Sequence, residues 1–160
     1  MIFYMFYLSF FHKKSSCGFY DNIRDMNNTR WKQRFDNFKQ ANKNLHETAD
    51  CINSENLNKI YTMAIIQAYE MCFELAWKTM KDYLEYYGTS VENPRSTIKE
   101  AFAQQIISDG QSWIEMMEAR NKTSHTYKES FAKQIAENIL NNYMPLLDNL
   151  EQILELKINE

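Results

Sequence analysis

The run LNKIYTMAIIQAYEMCFELAWKTMKDYLEYYG, Leu57 to Gly88, decides the fold class. Between Ile60 and Trp77 apolar residues occupy almost every direction around a helical axis. A helix of that kind is covered on several sides, inside a bundle or between subunits. Gly88 supplies the stop, since glycine tolerates the left-handed backbone that closes a helix. The polar exceptions are ordered. Gln67, Glu70, Glu74 and Lys78 are spaced three, four and four, so they share one stripe. Glu74 and Lys78 read first as an i,i+4 ion pair, and the stripe reads second as the polar lining of a groove. Trp77 reads as core before it reads as a stacking platform.

Further helical patterns lie on both sides. Trp31, Phe35, Phe38, Leu45, Ala49 and Ile52 step by threes and fours and predict a helix over about 29–52. Arg30, Lys32, Arg34, Lys39 and Lys43 fall outside that stripe, as a solvated face or a contact for an acidic partner or RNA. Asn53 to Asn56 is a polar turn. After a loop containing Pro94, Thr97-x-x-Glu100 reads as a capping box opening a short helix over 97–108, which Asp109-Gly110 ends. Ser112-x-x-Glu115 reads as the cap of the next helix, carrying Trp113, Met116 and Met117 as far as Arg120. Thr126-x-x-Glu129 caps the last, from Tyr127 to about Leu156. Pro145 is expected to kink it by removing a hydrogen bond and crowding the carbonyl of Asn141.

Valine occurs once in 160 residues, whereas Leu, Met, Ala, Glu, Gln and Lys abound. Strand formers are therefore scarce. The expected fold is all-α: an antiparallel four-helix bundle with an additional short helix and up-and-down topology. Residues 26–160 are expected to form its single domain. Residues 1–25 read as an atypical N-terminal extension. MIFYMFYLSFF is too short to span a bilayer as a helix and lacks the basic start and cleavage site of a signal peptide. Met26 reads as the translation start, with a membrane-surface or partner-binding tail as the alternative.

A net charge of −3 argues against a broad duplex-DNA surface. Cys17, Cys51 and Cys72 form no metal-binding spacing, and His12, His46 and His125 are scattered, so neither metal nor cofactor is expected. Reduced thiols fit a cytoplasmic protein.

The most chemically loaded run is Arg120-Asn121-Lys122-Thr123-Ser124-His125-Thr126-Tyr127. On one continuous helix Arg120 and His125 would point about 140° apart. They converge only if the helix breaks between them or across a subunit interface. A helix starting at Tyr127 would turn its free N–H groups on the cluster and make a phosphate site. Arg120 reads otherwise as a cation at a helix C-terminus, and His125 as a satisfied interhelical polar residue.

R-x4-H-x-Y resembles the signature of HEPN domains. The fuller RNKTSHTY, with FELAWKTMKDYLEYYG at 73–88 and NPRSTIKEAF at 93–102, is similar to their bacterial nucleotidyltransferase substrate-binding branch. The resemblance covers Arg30 to about Ile158. It implies a nucleotide- or RNA-binding subunit acting with a separately encoded minimal nucleotidyltransferase; the chain carries no nucleotidyltransferase signature or P-loop of its own. The alternative it implies is a metal-independent ribonuclease, the toxin of a toxin–antitoxin module with the nucleotidyltransferase as antitoxin. Arg120 and His125 would then be catalytic, His125 deprotonating a ribose 2′-hydroxyl and Arg120 stabilising the phosphate charge. Asn121 and Tyr127 would bind substrate, with Glu74 and Lys78 lining the same groove. The resemblance and the apolar helix at 57–87 together imply a homodimer.

Overall fold

The computed structural model describes residues 26, 29–51, 59–123 and 129–158. The expectations for residues 1–25, Ile52, the turn at 53–56, Thr126, His125 and Tyr127 lie outside them. The described elements are α1 (29–50), α2 (Lys59–Tyr86), α3 (Pro94–Ala103), α4 (Gly110–Lys122), α5 (Glu129–Asn138), a π-helical turn (Ile139–Tyr143) and α6 (Met144–Ile158). Among the described residues there is no strand. None of these helices is long and apolar enough to cross a membrane.

The direction of each helix follows from its contacts. The Trp31 and Tyr83 rings meet edge-on at 5.2 Å, and Asn42 meets Cys72, so α1 and α2 are antiparallel. The Phe73 and Trp113 rings lie 6.1 Å apart, while Glu70 receives the Thr123 hydroxyl, so α4 runs against α2. Lys39 pairs with Glu155, and His46 with Asp148, so α6 runs against α1. With α5, the π turn and α6 taken as one rod, the result is an up-and-down four-helix bundle with α3 added.

The predicted stripe of α1 is the core stripe. Trp31, Phe35, Phe38 and Leu45 are all buried, in one cluster with Tyr69, Phe73, Met80 and Trp113. Each such side chain stabilises the fold by about 1.5–3 kcal/mol. The basic residues of α1 do not form a free face. Arg34 Nε lies 2.7 Å from Asp82 Oδ2, and Arg30 reaches Asp82 at 3.2 Å and also Glu85. Asp82 is 4% exposed, so this charge is buried only because two guanidiniums meet it.

Three helix boundaries correct the sequence reading. The short helix opens at Pro94, and its cap is Asn93. Asn93 Oδ1 accepts from Ser96 N at 3.0 Å, and Ser96 Oγ accepts from Asn93 N at 3.1 Å. Thr97 is already inside the helix, its hydroxyl donating to Asn93 O at 2.9 Å, so Thr97-x-x-Glu100 is no box. Proline suits a first helical position, which draws the start upstream. Likewise Asp109, not Ser112, caps α4: Asp109 Oδ1 accepts from Ser112 N at 3.0 Å. Glu115 instead takes the Gln111 amide at 3.1 Å. Asp109-Gly110 therefore begins a helix and ends none. The short helix stops at Ala103, where Gln105 turns left-handed at φ 58. Gly88 behaves as expected, at φ 90, with Thr89 N donating to Leu84 O at 2.9 Å.

Pro145 disturbs the last helix by widening it. Its missing N–H and its ring disfavour the ordinary ladder one turn back. The five residues Ile139–Tyr143 are π-helical, and Met144 N donates to Ile139 O, five residues earlier. The widened turn keeps Ile139 and Tyr143 buried.

Candidate functional site

The polar stripe of α2 faces the C-terminal turn of α4. Glu74 Oε1 lies 2.8 Å from Lys78 Nζ, and Glu74 Oε2 accepts from Trp77 Nε1 at 3.0 Å. Trp77 is half-buried and packs on the core, with the Lys78 ammonium 5.7 Å from its ring centre. Burial pushes the Glu74 carboxyl up. The hydrogen bonds from Lys78 and Trp77, with the charges of Lys78 and Arg120, outweigh it and hold the group below its ordinary value. Gln67, at the far end of the stripe, is exposed.

Arg120 comes from the last turn of α4 and is half-buried. Its charge acts to lower the Glu74 carboxyl and the Tyr69 phenol, both on α2. Its Nε is buried and has no hydrogen-bond partner among the described residues. Buried donors are normally satisfied, so an orphaned guanidinium nitrogen calls for an explanation. Thr123, the C-cap residue, shares its hydroxyl between the Glu70 carboxylate and the Arg120 carbonyl, the latter at 2.5 Å. This contact crosses from α4 to α2 and fixes the end of α4 beside the stripe. Tyr69 reinforces it: its hydroxyl donates to Met116 O at 2.7 Å, and its ring stacks on Tyr143 at 5.5 Å. Burial pushes the Tyr69 phenol well above its ordinary value.

Glu74 thus pairs with Lys78 and feels the charge of Arg120. Asn121 is exposed on the next position of α4. α4 ends at Lys122, and His125 and Tyr127 lie outside the described residues. The sequence reading missed Thr123 as a tie to Glu70. Its signal was a hydroxyl three residues after Arg120, where a helix end leaves carbonyls open.

A second polar cluster was also missed. Asn42, buried in α1, donates through Nδ2 to Asp148 Oδ1 at 2.9 Å and Glu151 Oε2 at 2.8 Å. His46 Nε2 lies 2.8 Å from the same Asp148 oxygen. These residues line a cleft of about 380 Å³ between α1 and α6. The Asn42–His46 and Asp148–Glu151 spacings, four and three, were the visible signal. Among the described residues no cluster of three His, Cys, Asp or Glu could hold a metal ion.

Comparison with known proteins places residues 33–156 in a match to the family model "Nucleotidyltransferase substrate binding protein like". Comparison with curated proteins gives no match. Several solved structures are similar. A Haemophilus influenzae protein, described as revealing the fold of a substrate-binding domain of a nucleotidyltransferase, is 23% identical with a TM-score of 0.70. That similarity covers 76% of this chain and 98% of that one. A Thermus thermophilus protein is 27% identical with a TM-score of 0.61, over 69% of this chain and 94% of that one. A tri-AMPylated Shewanella oneidensis HEPN toxin, solved in complex with MNT antitoxin, is 11% identical with a TM-score of 0.65, over 79% and 96%.

Proposed function

The chain belongs to the nucleotidyltransferase substrate-binding-protein-like family, and from that premise we propose that it is the nucleotide- or RNA-binding subunit of a two-protein system. A separately encoded minimal nucleotidyltransferase supplies the metal chemistry, and this bundle presents the substrate. The observation that carries the reading is the buried Arg120 Nε without a partner. The neighbouring carboxylates do not consume it. Glu74 is held by Lys78 and Trp77, and Glu70 by Thr123. A planar guanidinium whose Nε has no partner among the described residues is suited to a phosphate, which it grips with two parallel bonds. Asn121 follows Arg120 and orients the phosphate. His125 and Tyr127, from the same run, complete the site, with Glu74 and Lys78 on its α2 wall. The working assembly is a homodimer, a reading supported by the exposed Ile60, Met63 and Met71 on α2.

The test is binding of ATP and inorganic pyrophosphate, measured by calorimetry on the purified chain. Arg120→Lys keeps the charge and loses the fork, so affinity for both ligands should fall about tenfold or more while the thermal unfolding curve is unchanged. Equal binding by wild type and Arg120→Lys overturns the site.

A second reading is favoured by the same orphaned Nε of Arg120, which stands five positions before His125. It is a metal-independent ribonuclease, a toxin held in check by its nucleotidyltransferase. Growth arrest on expression, lost in His125→Ala, supports this reading alone. Under it Tyr127 is also the hydroxyl that the partner would nucleotidylate. Co-expression followed by mass spectrometry would then show an added AMP that disappears in Tyr127→Phe.

A further inference from the structure

A cleft of about 260 Å³ opens between α4 and α5. Its apolar floor includes Phe131 and Ile135, and its rim includes Glu115, Lys122, Gln134 and Asn138. The floor offers one partly exposed ring, that of Phe131. The rim is polar and largely unspent. Lys122 has no ion-pair partner among the described residues, and Gln134 is exposed with no hydrogen bond there. Among the described residues Asn138 uses its carbonyl oxygen, which accepts from Asn142 Nδ2 at 3.0 Å, and not its amide N–H groups. Among the described residues Glu115 uses Oε1, which takes the Gln111 amide, and not Oε2. The residue after Asn138 begins the π-helical turn, and such turns are frequent at functional sites.

From this cleft we infer that the chain holds an amino-bearing nucleobase, adenine, against Phe131. This rests on the nucleotide-binding reading above and names the part of the ligand that reading left open. Drug-sized ligands occupy roughly 300–1,000 Å³, so a cleft slightly smaller takes a single ring system. Unstacked bases are held by aromatic faces and by hydrogen bonds to their edges. A side-chain amide meets adenine at N6 and N7. Gln134 supplies that amide, and the free oxygen of Glu115 accepts from an exocyclic amino group. Uracil carries no amino group and leaves the carboxylate facing a carbonyl. Lys122 is shared between the cleft rim and the run that begins at Arg120. That residue stands two positions after Arg120 on α4. The base could belong to a free nucleotide or to an RNA strand, and the chemistry is the same for both.

The experiment titrates the full chain with AMP, UMP and short oligoadenylate, reading affinity by calorimetry. Wild type should bind AMP at least about tenfold more tightly than UMP, as expected when one good edge contact is lost. Phe131→Leu should weaken AMP by between about fivefold and about 150-fold, the range for loss of one stacked base. Gln134→Ala, at an exposed position that folding does not need, should erase the preference for AMP over UMP. Tighter binding of oligoadenylate than of AMP identifies RNA as the source of the base, and the reverse identifies the free nucleotide. Equal affinity for AMP and UMP, AMP affinity unchanged in both variants, or no AMP binding at millimolar concentration overturns the base site. If Arg120→Lys weakens pyrophosphate while these variants leave AMP untouched, the phosphate site stands and the base site falls. If Arg120→Lys alone has no effect, the phosphate site falls instead.

Discussion

Asn42 Nδ2 and Asp148 Oδ1 lie 2.9 Å apart and join the first described helix to the last. The same amide also serves Glu151, and its oxygen receives the Cys72 thiol at 3.7 Å. Asn42→Ala empties this junction. It should destabilise the fold by about 1–3 kcal/mol, the range for stripping a buried polar group of its partner. Asn42→Asp should be worse, because it sets a third carboxylate against two. Urea unfolding followed by circular dichroism checks both: the midpoint should fall with an unchanged slope.

Glu74 and Glu85 both sit below their ordinary carboxylate values. Burial opposes this in each case, and ammonium and guanidinium partners outweigh it. A carboxyl depressed in the folded state adds stability above its unfolded value, roughly 4.3 for glutamate. That contribution is lost as pH falls through the lower, folded value. The melting temperature should therefore decline below about pH 4.3, and Glu74→Gln should flatten part of that decline. A melting temperature equally steep in both proteins between pH 5 and pH 2 would count against the ion pair.

Cys51 is exposed and Cys72 is buried. Burial pushes the Cys72 thiol far up, with the nearby Glu151 and Asp148 charges adding to it. The thiolate is the reactive form. At pH 8, iodoacetamide should label Cys51 while leaving Cys72 unmodified until urea unfolds the chain. Peptide mass mapping of the native and unfolded protein reads this directly.

Asn93→Ala should cost about 1 kcal/mol, the usual loss for a helix cap. Glu100→Ala should cost less than roughly half of that, as for an ordinary surface change. Thermal melts of the two variants distinguish the observed cap from the Thr97-x-x-Glu100 box that the local sequence suggests.

The core was legible because its signal is periodic. The α1 stripe and the all-round apolar α2 admit one class of solution, a bundle, and Gly88 marked its own left-handed turn. The capping residues were misread because Asn93, Asp109, Thr97 and Ser112 all offer short polar side chains near a helix start. The choice among them is made by Pro94 and by which side chain reaches an amide three residues on. Asp82 gave no warning. Its two arginines lie about fifty residues earlier on α1, and a contact over that distance leaves no local pattern. Of the candidate site, Glu74, Lys78 and Arg120 could be read from helical spacing and from the motif at 120–127. Thr123 and the cleft beside Phe131 could not, because they depend on which faces of α4 meet α2 and α5.

The pairing of Arg30 and Arg34 with Asp82 fixes where α1 begins, and Lys157 beside the Tyr83 ring fixes where α6 finishes. Both lie at the same pole of the bundle. Glu70 stands twelve residues earlier on α2, roughly 18 Å toward the other pole at 1.5 Å per residue. Epitope tags, fluorophores or surface tethers attached before α1 or after α6 would therefore hang from the pole remote from Arg120. The two positions are also near enough to be spliced by a short linker. A rearranged gene could then open the chain in the loop between α2 and α3 and keep every helix in place.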